Sequence, residues 1–154
     1  MTTLVTRARL LSTVLRAGDG RRIRRIIDRF EASELSHVLR ALDHLDLRRL
    51  ATALSHESCP VESIMRLDVS SLARITLAAR RGDQGRLLQL LSREDSATCA
   101  AVLMAMPIAE RLDAMEHLAS RASTGNLREM PRRGHAKESE QSLVAALRLQ
   151  RLFA

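Results

Sequence analysis

The stretch that decides the fold is Ser92–Leu118, SREDSATCAAVLMAMPIAERLDAMEHL. Ser92 is a side-chain cap for a helix, and Glu94 and Asp95 follow it in the first turn, where acids suit the positive end of the helix dipole. Ala97, Ala100, Ala101, Met104 and Ala105 then set an apolar stripe at helical spacing. Pro107 has no amide hydrogen and disfavours a helical residue before it, so the helix stops near Met106. The same proline is tolerated at the start of a second helix, Ile108–Leu118. The unit therefore reads as two short helices joined at a proline.

An earlier part of the chain repeats the pattern. A shift of 64 positions pairs Gly18-Asp19 with Gly82-Asp83, Ile23 with Leu87, Val38-Leu39 with Val102-Leu103, Leu42 with Met106 and Leu54 with Leu118. Turn residues, acidic positions and apolar positions keep register together, which is the signature of an internal duplication. The pseudo-repeats span about 10–54 and 74–118.

These residues carry a resemblance. Ser92-Arg93-Glu94-Asp95-Ser96-Ala97, Val102-Leu103, Met106-Pro107 and Glu110-Arg111 form a pattern that resembles the intracellular N-terminal domain of MgtE-type magnesium transporters. A weaker copy runs through Ser33-Glu34-Leu35, Val38-Leu39, Leu42 and Leu47–Leu54. A similar helical pattern occurs in flagellar motor switch proteins. The resemblance implies a right-handed superhelix of short helices. In that family some acids help to bind magnesium against a neighbouring domain. No cofactor or metal is carried over to this chain, whose acids Asp83, Glu94 and Asp95 read as helix caps.

Composition agrees with an all-α chain. Hydrophobic residues are 45% of the 154 and aromatic residues 1%. A core built from Leu, Ile, Val, Ala and Met favours packed short helices over a sheet, where β-branched and aromatic residues are enriched. The fold class expected is a short-helix superhelical solenoid, MgtE N-domain-like or armadillo-like, over residues 1–122. A flexible linker of loop composition follows at 123–138, and a C-terminal tethered helix at 139–154. No run reaches the roughly 18–20 apolar residues that a membrane span needs. The first fifteen residues interleave arginine with apolar side chains and lack the separate apolar core of a secretory signal. A cytoplasmic protein is expected. Cys59 and Cys99 stand far apart and read as two buried small hydrophobes.

In chain order, Thr3–Arg16 reads as a helix with Leu4, Leu11, Val14 and Leu15 inward. The next, Gly20–Phe30, places Ile23, Ile26, Ile27 and Phe30 on one side and Arg21, Arg22, Arg24, Arg25 and Arg29 on the other. Spacing of three and four gathers Arg21, Arg24, Arg25 and Arg29 on one face. That cluster is either a face for an anionic partner or a solvated surface partly neutralised by Asp19, Asp28 and Glu31. His37 and His44 are two helical turns apart, about 10 Å along the axis, too far to share a metal ion. Gly82-Asp83-Gln84-Gly85 reads as a second chain break and lacks the Gly-Lys-Ser/Thr ending of a phosphate loop. In the C-terminal helix, Leu143, Ala146, Leu147, Gln150 and Phe153 form one row, which either folds back or docks onto a partner, including a second copy in a homo-oligomer.

The sequence contains no His-Glu-x-x-His, Cys-x-x-Cys, Gly-x-Ser-x-Gly or glycine-rich phosphate motif. The function expected is therefore non-enzymatic: a protein–protein interaction or scaffold module, an adaptor or regulatory subunit of a larger bacterial-type assembly. The net charge of +7 supports a second reading, a nucleic-acid binder using the Arg21–Arg29 face and the basic linker.

Overall fold

The computed structural model describes residues 3–56 and 59–125, and side chains as far as Ser120. The described chain is all helix and turn: α1 (Leu4–Ala17), α2 (Gly20–Asp28), α3 (Ala32–Arg40), α4 (His44–Leu54), α5 (Val61–Met65), α6 (Val69–Ala78), α7 (Arg81–Glu94), α8 (Ser96–Ala105) and α9 (Ile108–Gly125). No strand occurs among the described residues.

Four aspartates start four of these helices. Asp19 accepts from the amides of Arg21 and Arg22, Asp43 from Asp46, Asp68 from Ser71, and Asp95 from Ala97 and Thr98. Each satisfies amides that the first helical turn leaves without a partner. Gly18 ends α1 with a left-handed φ of 74°, which a residue with a Cβ adopts at a cost. Met106 is extended, as the residue before Pro107 must be, and separates α8 from α9.

Helices pack mainly on near neighbours in chain order: α1 on α2, α3 and α4; α4 on α6 and α7; α6 on α7 and α8; α7 on α8 and α9. One continuous apolar core runs through them, from Leu11 and Leu15 past Leu35, Leu50 and Ile75 to Leu88 and Met106. Phe30 is buried in it.

The structure corrects several expectations. Ser92 caps nothing; it lies in the last turn of α7, and the cap of α8 is Asp95. The inward face of α8 is Cys99, Val102 and Leu103, whereas Met104, Ala97 and Ala105 are exposed. Nearly every residue of α8 is apolar, so spacing alone does not select the buried face. Leu4 is also exposed, at 43%. Ser123, Thr124 and Gly125, expected as the start of the linker, belong to α9.

Gly82 and Gly85 do not break the chain. They lie inside α7, and the break falls at the extended residues Ala79 and Arg80. The reason lies in side chains of α7 and α4. Gln84 Nε2 donates to the Thr76 carbonyl at 3.1 Å, and Arg48 Nε donates to that of Ala78 at 3.1 Å. These bonds satisfy the open carbonyls of the last turn of α6 and end that helix before the glycines.

Candidate functional site

The densest cluster of arginines in the described chain lies on α2. Ile23 and Ile27 are buried and Ile26 is half-buried, which fixes the helix rotation. Arg21, Arg22, Arg25 and Arg29 are then exposed. At about 100° per residue, Arg21, Arg25 and Arg29 form a row at successive turns, with Arg22 beside it. Arg24 departs from the expected grouping. It is half-buried, and its Nε donates to the Gly20 carbonyl at 3.1 Å.

Of the three acids expected to neutralise this face, Asp19 and Asp28 are engaged elsewhere, and Glu31 is exposed and makes no side-chain cap bond. Asp19 is occupied as the cap of α2. Asp28 accepts from Ser63 Oγ at 3.0 Å and lies 3.7 Å from Arg66. Arg21, Arg22, Arg25 and Arg29 make no side-chain ion pair among the described residues. Other arginines do: Arg7 with Glu34, Arg16 and Arg49 with Asp46, and Arg81 with Asp113. Arg7 also lies over the Phe30 ring, 5.9 Å from its centroid.

Polar groups elsewhere serve the fold. His37 Nδ1 lies 2.7 Å from the Ser33 carbonyl, and His44 Nε2 lies 3.1 Å from Arg48 Nη2. No group of three His, Cys, Asp or Glu side chains with metal-holding geometry occurs among the described residues. An open cleft of about 370 Å³ lies between α3 and the start of α6, lined by Ser36, His37, Arg66 and Asp68 among others. Asp68 is the cap of α6, and Arg66 donates to the Phe30 carbonyl. These groups hold neighbouring elements together. Asp83, expected as a cap, instead accepts the hydroxyls of Thr52 at 2.8 Å and Ser55 at 2.9 Å, tying α7 to α4. Glu94 ends α7 and is exposed.

Spacing did not reveal the part played by Arg111. Its Nε donates to the Leu103 carbonyl at 2.8 Å, and its Nη2 to the Met104 and Met106 carbonyls, each at 3.0 Å. One guanidinium thus closes the end of α8, whose carbonyls lose their donors at Pro107. An arginine four residues after a helix-breaking proline was the available signal.

The candidate docking row Leu143, Ala146, Leu147, Gln150 and Phe153 and the basic linker beyond Gly125 lie outside the described residues. No helix among the described residues is long and apolar enough to cross a membrane. No family model, no curated protein and no solved structure matches the chain.

Proposed function

We propose that this chain is a non-enzymatic protein-interaction module that offers the basic face of α2 to an acidic surface of another protein. It would act as an adaptor or regulatory subunit in the cytoplasm. The observation that carries the reading is the row Arg21, Arg25 and Arg29 with Arg22, exposed and without ion pairs among the described residues. Like charges one turn apart destabilise a helix slightly. The row therefore weakens the isolated fold, and its benefit lies in an opposite charge from outside. Guanidinium groups take carboxylates in paired hydrogen bonds, which suits a helix face lined with Asp or Glu.

Nucleic acid is the second reading, because phosphate meets the same groups equally well. A single-strand site gains much of its affinity from aromatic stacking. Phe30 is buried, and the described chain has no other aromatic side chain. This favours a protein partner.

The scaffold in this reading is a stack of tandem helical units, the superhelical arrangement that the MgtE-type resemblance implies. The helix starts support it. Ala32 and Ser96, the first residues of α3 and α8, are 64 positions apart, as are His44 and Ile108, the first residues of α4 and α9. Buried Val38 and Val102, and buried Leu42 and Met106, keep the same interval. The Gly18-Asp19 and Gly82-Asp83 pairs match in sequence only, since one separates helices and the other lies within α7.

The test uses the full chain and the triple variant Arg21→Gln/Arg25→Gln/Arg29→Gln. Both are titrated by fluorescence anisotropy with an acidic helical peptide, a random-sequence DNA duplex and a single-stranded RNA. Preference for the peptide, with at least a tenfold loss in the variant, supports the reading. Tighter binding to either nucleic acid, with a log–log salt slope that the variant reduces by about 0.7–0.9 for each phosphate it no longer neutralises, replaces it with the second.

A further inference from the structure

The α8–α9 end of the helix stack presents apolar side chains that no described residue covers. Ile108 is 71% exposed, Met104 59% and Leu112 48%. Ile108 and Leu112 are one turn apart on one face of α9. Met104 is held beside that helix by Arg111, whose Nη1 lies 3.5 Å from its sulfur. Large apolar side chains gathered in this way mark a surface that something covers.

The counterpart of this face earlier in the chain is polar. Sixty-four positions before Ile108 and Leu112 stand His44 and Arg48, on α4. Helix α4 carries α6 and α7, through Arg48 to the Ala78 carbonyl and Thr52 to Asp83. On α9 the same positions hold Ile and Leu, a more apolar seat than the exposed His44 and half-buried Arg48 give α4.

The chain beyond Gly125 has the length and chemistry to fill that seat. Residues 126–138, thirteen in number, span up to about 45 Å when extended. The 18 residues of α9 cover only about 27 Å. A segment beginning at Ser139 therefore reaches back to Ile108. Its sequence offers Leu143 and Leu147 at helical spacing, with Arg148 and Arg151 to one side. Glu116, exposed one turn beyond Leu112, offers the opposite charge. We infer that residues 139–153 dock on the Met104, Ile108 and Leu112 face of their own chain. The inference is independent of the arginine face of the proposed function.

Hydrogen exchange on the full chain tests it. Amides of 139–153 exchange at least tenfold more slowly than an unstructured peptide of the same sequence, and Ile108→Asp abolishes that protection while α1–α7 exchange as before. The reciprocal variant, Leu143→Asp/Leu147→Asp, leaves the described helices intact and raises exchange in α9 about Leu112. A Leu112→Cys/Leu147→Cys pair then distinguishes the occupants under mild oxidation. A disulfide within one chain supports the inference. A disulfide between two chains replaces it with exchange between copies. Random-coil exchange of 139–153 in the unsubstituted chain, or protection that survives both variants, overturns it.

Discussion

Ser12 on α1 donates its hydroxyl to the Asp46 carboxylate on α4 at 2.5 Å, across 34 residues of sequence. Asp46 is only 2% exposed. The same carboxylate meets Arg49 Nη1 at 2.8 Å and lies 3.7 Å from Arg16 Nε. A buried carboxylate is tolerable when its lone pairs are filled in this way. Asp46→Ala strands the Ser12 hydroxyl and is expected to cost about 2 kcal/mol, a sizeable part of the stability of a domain this small. Asp46→Asn keeps an acceptor for Ser12 and loses about half as much. Urea unfolding of the three chains checks the order.

Asp83 bridges helices far apart in sequence, accepting from Thr52 and Ser55 on the α4 side. Ser55 is buried, so Asp83→Ala leaves its hydroxyl with one bond fewer. The expected loss is about 1–2 kcal/mol. In a double-mutant cycle with Ser55→Ala the two losses are less than additive, because each removes the same bond. A strictly additive result means that the bond contributes nothing.

Acid should weaken the fold through its caps. Hydrogen bonds from the Thr98 hydroxyl and amide, with that of Ala97, hold the Asp95 carboxyl below its ordinary range against slight desolvation. At Asp68 burial pushes upward, but bonds from Ser71 and Ser36 and the Arg40 charge outweigh it and the net shift is downward. A carboxyl with a depressed folded-state pKa stabilises fully above its unfolded value, near 3.9, and the stabilisation disappears as pH falls through the folded value. The urea midpoint is therefore flat from pH 7 to 5 and falls below about pH 4. Asp68→Asn/Asp95→Asn keeps both caps neutral and makes that fall shallower.

The all-α class was legible because a core of Leu, Ile, Val, Ala and Met with almost no aromatics has little use for a sheet. The breaks at Gly18-Asp19 and Met106-Pro107 were legible because each depends on its own residues: a left-handed glycine beside an aspartate cap, and a proline that forces its neighbour to extend. The break at Ala79-Arg80 was not. It is set by Arg48 and Gln84, one on another helix, and no local pattern contains that information. The arginine row was legible from spacing, but the exchange of Arg24 for Arg22 follows from the exact rotation of α2. The exposed end at Met104, Ile108 and Leu112 was hidden for a different reason. In a run as apolar as α8, a core stripe and a docking face have the same composition.

Cys99 supplies a chemical test of the core. Its thiol is buried and donates to the Leu88 carbonyl at 3.6 Å, joining α8 to α7. Burial pushes its pKa up to about 11. Cys59 is also raised, first by desolvation, with the Arg24 charge opposing and Asp28 assisting. Thiolate is the reactive form, so both side chains are inert in the fold at pH 8. Iodoacetamide under native conditions should leave the intact mass unchanged over an hour, and in guanidinium it should add two carbamidomethyl groups. The raised pKa values also imply a sign at high pH. The folded chain binds the thiol protons more tightly, a stabilisation that is full below the ordinary thiol value and is lost as pH rises from there through the folded values. Stability should decline from about pH 9 upward. Cys99→Ala removes part of that decline, and native-state alkylation of Cys99 at pH 8 would show that α8 does not pack on α7 through this side chain.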